Sequence, residues 1–268
     1  MAVALKNTPR AVTLRRPQGR ALLDVRGLTK VFPNGTLALD SVDVEVSAGE
    51  LAVVLGANGS GKSTLLRCAV RLIEPTSGSV LVDGADLTQL RGENLRRTRQ
   101  AIAMVFQQAN LVRRRSALSN VMMGTLGRHS TWRTALGVLP DEERDHARRC
   151  LDRVGLGHVA GQRADTLSGG QAQRVAIARG LSQRAQVLLA DEPVASLDPE
   201  AALEVMRLLR QLAEEENFAV LCVLHQPDLA LSFGHRIIGM RRGRVVWDRG
   251  PDRVTDGDVG MLYRAEAA

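Results

Sequence analysis

A glycine-rich segment that ends in lysine and serine carries the clearest chemistry in this sequence. It reads GANGSGKS from Gly56 to Ser63 and fits the pattern GxxxxGK[ST]. Glycines let successive backbone N–H groups turn toward a polyphosphate, and a following helix adds its positive N-terminal end. Lys62 is placed to reach the β- and γ-phosphates, and the Ser63 hydroxyl is placed to ligate Mg²⁺. The segment predicts a nucleotide site formed by Gly56, Asn58, Gly59, Ser60, Gly61, Lys62, Ser63 and Thr64.

Two adjacent acids follow a second apolar run. Residues 187–190 read VLLA, and Asp191 and Glu192 come directly after them. Ligands of open α/β folds gather at the carboxyl ends of strands, so both carboxylates should lie near the phosphate segment. Asp191 suits a direct or indirect contact with Mg²⁺, and Glu192 suits polarisation of an attacking water. Without the phosphate segment, the same two acids would also fit a solvated turn.

A third motif, LSGGQ, runs from Leu167 to Gln171 and predicts the start of a helix. Ser168 is a natural N-cap, and Gly169 and Gly170 leave the helix N-terminus open to close approach. Taken alone, the motif fits an ordinary helix cap better than an anion site. A chain with one complete phosphate site and one accessory site nevertheless suggests that two copies share each nucleotide.

The elements that must position these motifs alternate between short apolar strands and amphipathic helices. Unbroken apolar runs such as 51–55 indicate strands that are buried on both faces. We predict strands at 22–25, 42–46, 51–55, 101–106, 187–190, 219–224, 236–240 and 244–247. Helical spacing of apolar residues occurs at 65–73, 141–154, 168–181 and 199–214. The alternation predicts a parallel α/β sheet with helices on its faces.

Composition excludes several classes of protein. The chain has 268 residues and a net charge of +7, from 36 Lys and Arg against 29 Asp and Glu. No run approaches the about 18 apolar residues of a membrane-spanning helix, and three separated cysteines argue against a disulfide framework or zinc site. Most of the excess charge lies in residues 1–20, which we expect to form a disordered basic leader. The nearly neutral remainder gives little reason to expect a nucleic-acid partner.

Together, these motifs make residues 22–252 resemble the ATP-binding subunit of an ABC transporter. The resemblance implies a P-loop NTPase (RecA-like) core with an N-terminal antiparallel β-subdomain and an inserted helical subdomain near residues 108–166. The cassette would span residues 21–254 and precede a C-terminal tail at 255–268. The resemblance also implies ATP and Mg²⁺ as cofactors, and ATP hydrolysis coupled to transport. The implied assembly is a homodimer on an integral-membrane permease, peripheral to the cytoplasmic face of the membrane, with a separate solute-binding protein.

The resemblance implies roles for four further residues. Gln107 resembles the Q-loop glutamine, Asp198 lies in a segment similar to the D-loop, His225 is similar to the switch histidine, and Phe32 occupies the position of the aromatic that stacks on adenine. Three of these residues have a plainer alternative. Gln108 could occupy the Q-loop position instead of Gln107, and His225 and Phe32 would also fit purely structural roles. In the family, the LSGGQ motif of one copy closes over ATP held by the other. The implied catalytic set is Glu192, His225 and Gln107, and the implied Mg²⁺ set is Ser63, Gln107 and Asp191.

Finer features resemble the ATPases of phosphonate importers. They are the stretch ADEPVASLDP at 190–199, the turn PNGT at 33–36 and the LHQ sequence around His225. Three arginines at 113–115 depart from that pattern, as do Ala109 and Pro227. Phosphite, phosphate or another small solute therefore stay as alternatives. We expect the arginines to face the permease, although a solvated run of charges would fit them nearly as well. A soluble ABC ATPase acting on nucleic acid or ribosomes is disfavoured. Residues 61 and 167 are too close in sequence to enclose the long coiled coil of chromosome-maintenance members, and translation-factor members usually carry two cassettes where this chain has one.

Overall fold

The computed structural model describes residues 19–128 and 140–264, so most of the leader expected at 1–20 lies outside the described residues. The strands are β1 (Ala21–Val31), β2 (Leu37–Ser47), β3 (Leu51–Leu55), β4 (Ser77–Val82), β5 (Ala85–Asp86), β6 (Ile102–Val105), β7 (Val187–Asp191), β8 (Ala219–Leu224), β9 (Arg236–Arg241) and β10 (Arg244–Arg249). The α-helices are α1 (Lys62–Ala69), α2 (Gly92–Arg99), α3 (Ala117–Met122), α4 (Asp141–Arg153), α5 (Gly169–Ser182), α6 (Pro199–Glu216), α7 (Pro227–Phe233) and α8 (Asp256–Tyr263). Short 3-10 helices cover Met123–Arg128, Gly157–Val159, Ala164–Thr166 and Pro251–Arg253.

The central sheet has its strands in the order β10-β9-β3-β8-β7-β6. β9, β3, β8, β7 and β6 run parallel, whereas the edge strand β10 is antiparallel to β9. Every residue of β3, β7 and β8 is buried, because these strands have neighbours on both sides and packed layers on both faces. The predicted parallel sheet of continuous apolar runs is therefore confirmed.

A second sheet is antiparallel, with the order β2-β1-β4-β5. Val42, Val44 and Val46 of β2 are buried and alternate with polar residues, as the period of two predicted. Strands β4 and β5 were not expected from the sequence. β4 begins with Ser-Gly-Ser, so its apolar alternation is confined to Val80 and Val82, too short a pattern to identify a strand.

Strand β3 has a hydrophobic core on each face. Leu51, Val53 and Leu55 pack in one core with α3, α4, α5 and α6. Ala52 and Val54 pack in the other core with the antiparallel sheet and α1. This division follows from the alternation of side chains along a strand. The glycine-rich segment that follows β3 therefore starts from a strand held on both faces.

Helices α3, α4 and α5 pack together on one side of the central sheet. Helix α4 buries Ala147, Cys150 and Leu151, on the face that helical spacing predicted. Of the helices that the structure describes, none combines the length and the apolar character needed to span a membrane.

The segment expected as a C-terminal tail contains helix α8. The Thr255 hydroxyl accepts the Asp258 N–H at 3.2 Å, and an Asp258 carboxylate oxygen accepts the Thr255 N–H at 3.0 Å. Arg249 of β10 donates to the same carboxylate oxygen at 2.5 Å. Leu262 is buried, and α8 contacts β9. Helix α8 is therefore docked on the central sheet at both of its ends.

A buried carboxylate lies at the edge of the central sheet opposite β6. Asp248 of β10 is 8% exposed, and its Oδ2 atom lies 3.4 Å from Nη1 of Arg236. The Nε atom of Arg236 lies 2.9 Å from Oε1 of Glu50, so one guanidinium faces two carboxylates. Burial raises the pKa of Asp248 to about 6, and the charge of Arg236 only partly opposes that rise.

The raised pKa predicts how Asp248→Asn changes stability with pH. Between the ordinary pKa of 3.8 and about 6, the folded state keeps a proton that the unfolded state loses. The stabilising contribution of Asp248 is complete below pH 3.8 and is lost as the pH rises through 6. Asparagine has no such loss, so the free energy of unfolding of the variant, relative to the parent, should rise by about 1–3 kcal/mol between pH 4 and pH 7.

Urea unfolding of both proteins at several pH values measures this difference. Asp252→Asn, at an exposed carboxylate four residues further along, provides the matched control. A difference between Asp248→Asn and the parent that is the same at pH 4 and pH 7 would show that the buried carboxylate stays ionised throughout.

Candidate active site

The glycine-rich segment connects the end of β3 to the start of α1. Gly59 and Gly61 have φ angles of +77° and +102°, a backbone region that residues with side chains disfavour. A Cβ atom on Gly56 would lie 2.2 Å from the Met240 carbonyl oxygen, and one on Gly61 would lie 2.5 Å from the Ala38 carbonyl oxygen. The backbones of β9 and β2 therefore enclose this loop so closely that these two positions accommodate only glycine.

Lys62 begins α1 with its ammonium group turned back into the loop. Its Nζ atom donates to the carbonyls of Gly56 at 2.8 Å and Ala57 at 3.0 Å. Burial lowers the pKa of Lys62, and the charges of Glu192 and Asp191 oppose that shift. Because an ammonium group has three N–H donors, one donor remains for a phosphate oxygen.

Ser63 joins the glycine-rich loop to the acidic pair. Its hydroxyl donates to Oδ1 of Asp191 at 2.7 Å, although the two residues are 128 positions apart. Asp191 ends β7 and is 5% exposed. The structure thus brings the two motifs together at the carboxyl ends of β3 and β7, where the strand order places them.

The oxygen atoms at this point fit Mg²⁺ and a polyphosphate. Magnesium in nucleotide sites usually takes one or two protein ligands and completes its shell with phosphates and waters. Ser63 and Asp191 provide two such oxygens, and the described residues contain no cluster of His, Cys, Asp and Glu that could hold a metal alone. The Ser60 hydroxyl is buried without a hydrogen-bond partner among the described residues, so it is available to a phosphate oxygen.

Glu192 follows Asp191 in a strained backbone conformation. Its φ angle is +51°, and holding a residue with a side chain there costs about 1–3 kcal/mol. Its N–H donates to the Val223 carbonyl at 3.1 Å, and its Oε1 atom contacts Nε2 of His225. Strain of this kind persists where the surroundings hold a residue in a functional position.

Glu192 and His225 border a cavity of about 150 Å³, lined by Glu192, Val194, Ala195, Leu224, His225 and Gln226. A water molecule takes about 30 Å³ in the liquid, so the cavity has room for several. A carboxylate beside such a cavity can orient a water molecule and accept its proton, and the imidazole can hold the carboxylate in place.

The LSGGQ motif forms the exposed start of α5. The Ser168 hydroxyl accepts the Gln171 N–H at 3.2 Å, and Oε1 of Gln171 accepts the Ser168 N–H at 3.0 Å. A Cβ atom on Gly170 would lie 2.8 Å from Cβ of Ala201, whose N–H donates to Asp198 at 2.9 Å. Within the described part of the chain, no hydrogen bond or ion pair joins this helix start to the glycine-rich loop. Helix α6 therefore covers one side of the start of α5, and the N-terminal end of α5 is exposed.

Gln107 is exposed just beyond β6, and two side chains of α5 hold the backbone on either side of it. Nε2 of Gln173 donates to the Phe106 carbonyl at 2.9 Å. Arg179 donates to the carbonyls of residues 109–110 at 3.1 and 2.9 Å. Neither contact was predicted, because a helical pattern in the sequence does not show which distant carbonyls the polar residues of the helix will bind.

Phe32 lies in the turn between β1 and β2 and is half-buried. The backbone N–H of Phe32 donates to the Thr36 carbonyl, and its carbonyl accepts the Gly35 N–H, both at 2.9 Å. Nζ of Lys30 lies 5.4 Å from the ring centre and donates to the Glu74 carbonyl at 2.7 Å. The turn and the cation fix the ring, and its contact with adenine stays a prediction.

A glycine-rich phosphate loop at the carboxyl end of a central parallel strand defines the class of protein as a P-loop NTPase. The family model described as ABC transporter matches residues 39–195. The chain belongs to the ABC transporter family, as an ATP-binding cassette that hydrolyses ATP to support transport.

Curated relatives cover almost the whole cassette. The phosphonates import ATP-binding protein PhnC of Frankia casuarinae is 52% identical over 240 residues, which are 89% of this chain and 94% of that protein. A phosphonates import ATP-binding protein PhnC 2 from a Synechococcus species is 45% identical over 245 residues, which are 91% of each chain.

Solved structures share the fold. One is cbiO1 from Clostridium perfringens, part of the ABC transporter complex cbiONQ, with a TM-score of 0.78, 30% identity, and coverage of 90% of this chain and 93% of that one. Another is a dimeric post-hydrolysis state of the cassette MJ0796 bound to ADP and Pi, with a TM-score of 0.73, 34% identity, and coverage of 85% and 98%. The predicted cassette fold is confirmed.

Lys62→Ala should weaken ATP binding about 10- to 100-fold, because a hydrogen bond to a charged group contributes about 1.5–3 kcal/mol. Titration of the purified full chain with a fluorescent ATP analogue and magnesium measures the affinity. Thermal unfolding without nucleotide is the control, since it shows whether the loop keeps its structure once the ammonium group has left the Gly56 and Ala57 carbonyls. An unchanged affinity in a folded variant would remove Lys62 from the phosphate site.

Proposed function

We propose that this chain hydrolyses ATP to power the import of phosphonates through a separate membrane permease. The observation that carries the proposal is the 52% identity, over 89% of the chain, to a protein named for phosphonate import. Phosphite and phosphate are the nearest alternative solutes, since they share the tetrahedral phosphorus oxyanion. The solute would be selected by the permease and a solute-binding protein rather than by this subunit.

In this proposal, the loop after β3 binds the nucleotide. Backbone N–H groups of the loop and the free donor of Lys62 hold the β- and γ-phosphates. Ser63 and Asp191, with Gln107, would hold Mg²⁺, which when bound neutralises charge on the phosphate oxygens. Phe32 would stack on the adenine. The hydrogen bond between Ser63 and Asp191 supports this assignment, because it already places two oxygen ligands together.

Glu192 is the general base of the proposed reaction. Its carboxylate orients a water molecule in the adjoining cavity. The water oxygen attacks the γ-phosphorus, its proton passes to a Glu192 carboxylate oxygen, and the bond from phosphorus to the bridging oxygen breaks to give ADP and phosphate. His225 holds the carboxylate through its Nε2 atom. The strained φ angle of Glu192 supports this role.

A second copy of the chain would complete the site. The open start of α5 presents N–H groups and the positive end of a helix dipole to an anion, without a contact to the loop of its own chain. In a head-to-tail homodimer, the residues from Ser168 to Gln171 of each copy would close over the nucleotide of the other. Asp198, which caps α6 behind Gly170, would lie at the interface.

The permease would bind the helical part of the chain from the cytoplasmic side of the membrane. Arg113, Arg114 and Arg115 are exposed. The backbone beneath them is fixed, because the Arg113 and Arg115 carbonyls accept the N–H groups of Asp165 at 3.1 Å and Ala164 at 2.9 Å. Three guanidinium groups on a fixed base fit acidic groups on the permease loops.

Reversal of these charges to glutamate should uncouple ATP hydrolysis from transport. We expect uptake by the assembled transporter to fall about 10-fold or more, because like charges across an interface cost several kcal/mol, with unchanged ATP affinity. The matched control reverses three other exposed arginines that lie outside the helical part, Arg91, Arg207 and Arg253. Normal uptake by the Arg113–Arg115 reversal would exclude this surface from the permease contact.

Growth on defined phosphorus sources tests the function. A strain that lacks the gene receives the parental chain or Glu192→Gln, and an alkylphosphonate, phosphite or phosphate is the sole phosphorus source. We expect the parental chain, and not the variant, to restore growth on the alkylphosphonate. Rescue on phosphite alone would move the solute to that alternative, and no dependence on any of the three would contradict the proposal.

A further inference from the structure

The tyrosine at the end of α8 reaches the site although it lies in the segment expected as a tail. The Tyr263 hydroxyl donates to the His225 carbonyl oxygen at 3.1 Å. Burial raises the pKa of Tyr263, and the Gly56 backbone opposes that rise. The phenol oxygen therefore lies against the backbone of His225.

The position of Tyr263 is fixed from both ends of its helix. At the start of α8, the Asp258 carboxylate closes the capping box and pairs with Arg249. At the end of α8, the adjacent Leu262 is 2% exposed and lies in the core that contains helices α3 to α6. Arg241 of β9 donates to the Arg264 carbonyl at 3.5 Å. A side chain that is held in this way can restrain the groups it contacts.

Tyr263 contacts the backbone of His225, and the side chain of His225 contacts Glu192. His225 lies between the end of β8 and the start of α7, and its Nε2 atom contacts the Glu192 carboxylate. A shift of the His225 backbone therefore moves the imidazole relative to that carboxylate. The hydroxyl of Tyr263 opposes such a shift through its hydrogen bond to the His225 carbonyl.

We propose that Tyr263 is a positioning residue for ATP hydrolysis: its hydroxyl restrains the His225 backbone and so keeps the imidazole against Glu192. This inference rests on the roles proposed above for Glu192 and His225. Nothing in the local sequence around Tyr263 points to it, since 38 residues separate it from His225. The proposal concerns the rate of hydrolysis and leaves nucleotide binding to the loop.

Tyr263→Phe tests the hydroxyl, because the ring keeps its size and only the oxygen is lost. A neutral hydrogen bond of this kind corresponds to about a threefold to tenfold change, so we expect kcat of the full chain to fall by that factor. The affinity for ATP should stay at the parental value. Met261→Leu, which alters apolar packing on the same helix, is the matched control and should keep parental kcat. Parental kcat in Tyr263→Phe, or an equal loss in both variants, would overturn the proposal.

A second experiment separates positioning through His225 from a general structural effect. In a His225→Ala background, Tyr263→Phe should cause no further loss of kcat, because the imidazole that it positions is absent. A further loss of the same factor would show that the hydroxyl acts elsewhere and would overturn the proposal. Loss of all hydrolysis in the parental chain would instead contradict the proposed function, so the two failures are distinguishable.

The chain contains one tyrosine, which gives the phenol a signal of its own. With ¹³Cζ-labelled tyrosine, the full chain should show one phenol resonance that shifts when Mg²⁺ and a non-hydrolysable ATP analogue are added. The resonance should also differ in His225→Ala. A phenol resonance that responds to neither change would overturn the link between Tyr263 and the site.

Discussion

Glu192→Gln should bind ATP with parental affinity and hydrolyse it about 10²- to 10⁴-fold more slowly, the range typical for removal of a general base. Glutamine keeps the shape of the side chain, and its amide can still reach His225. It cannot accept a proton from the attacking water, however. The measurements are phosphate release at saturating ATP and equilibrium binding of a fluorescent ATP analogue, both on the purified full chain.

The chain offers a matched control for this substitution. Glu214, an exposed residue of α6, also contacts a histidine, with its Oε1 atom 2.9 Å from Nε2 of His235. Glu214→Gln therefore makes the same chemical change to the same kind of pair, and we expect it to leave kcat unchanged. Hydrolysis at the parental rate in Glu192→Gln would assign the base to another residue.

Ser168→Arg should abolish ATP-dependent pairing of two chains and lower hydrolysis by about 100-fold or more, the cost typical for loss of charge stabilisation at a reacting phosphate or oxyanion. The side chain would fill the open tip of α5, where the second copy's nucleotide is proposed to bind. Each chain should still bind ATP, because the glycine-rich loop is untouched. Size-exclusion chromatography with ATP, in the Glu192→Gln background that prevents turnover, measures the pairing.

Ser168→Arg removes the cap of α5 as well as blocking closure of the dimer, so the two effects must be measured separately. Ser168→Ala removes the cap alone, which costs about 1 kcal/mol of stability. Ser116 caps α3 in the same way, accepting the Ser119 N–H at 3.1 Å, so Ser116→Ala is the matched control. Both alanine variants should lose similar stability, and Ser116→Ala should keep the ATP-dependent dimer. A dimer that persists in Ser168→Arg would contradict a shared site.

The sequence was most informative where one local pattern determines the structure. Strands β3 and β8 have the predicted ends, 51–55 and 219–224, because a continuous apolar run marks a strand covered on both faces. The meeting of Ser63 and Asp191 was expected for a related reason: parallel strands place their carboxyl ends at one edge of a sheet.

The contacts that were not predicted join parts of the chain through a side chain and a distant backbone. Gln173 binds the Phe106 carbonyl, and Tyr263 binds the His225 carbonyl. No periodicity or residue spacing in the sequence indicates either contact, because each contact depends on how helices α5 and α8 pack against the sheet. Strands β4 and β5 were missed for a different reason, since their few apolar residues gain their burial from the antiparallel sheet that they complete.

The double-sided burial of β3 restricts where motion can occur during the transport cycle. A strand clamped between two close-packed cores cannot shift without opening cavities in both, and each lost large apolar contact costs about 2–5 kcal/mol. The phosphate loop should therefore move only together with the layers that pack on both faces of β3, as one body. In the proposed transport cycle, the force on the permease would then come from movement of the whole cassette relative to its second copy rather than from travel of the loop within one chain.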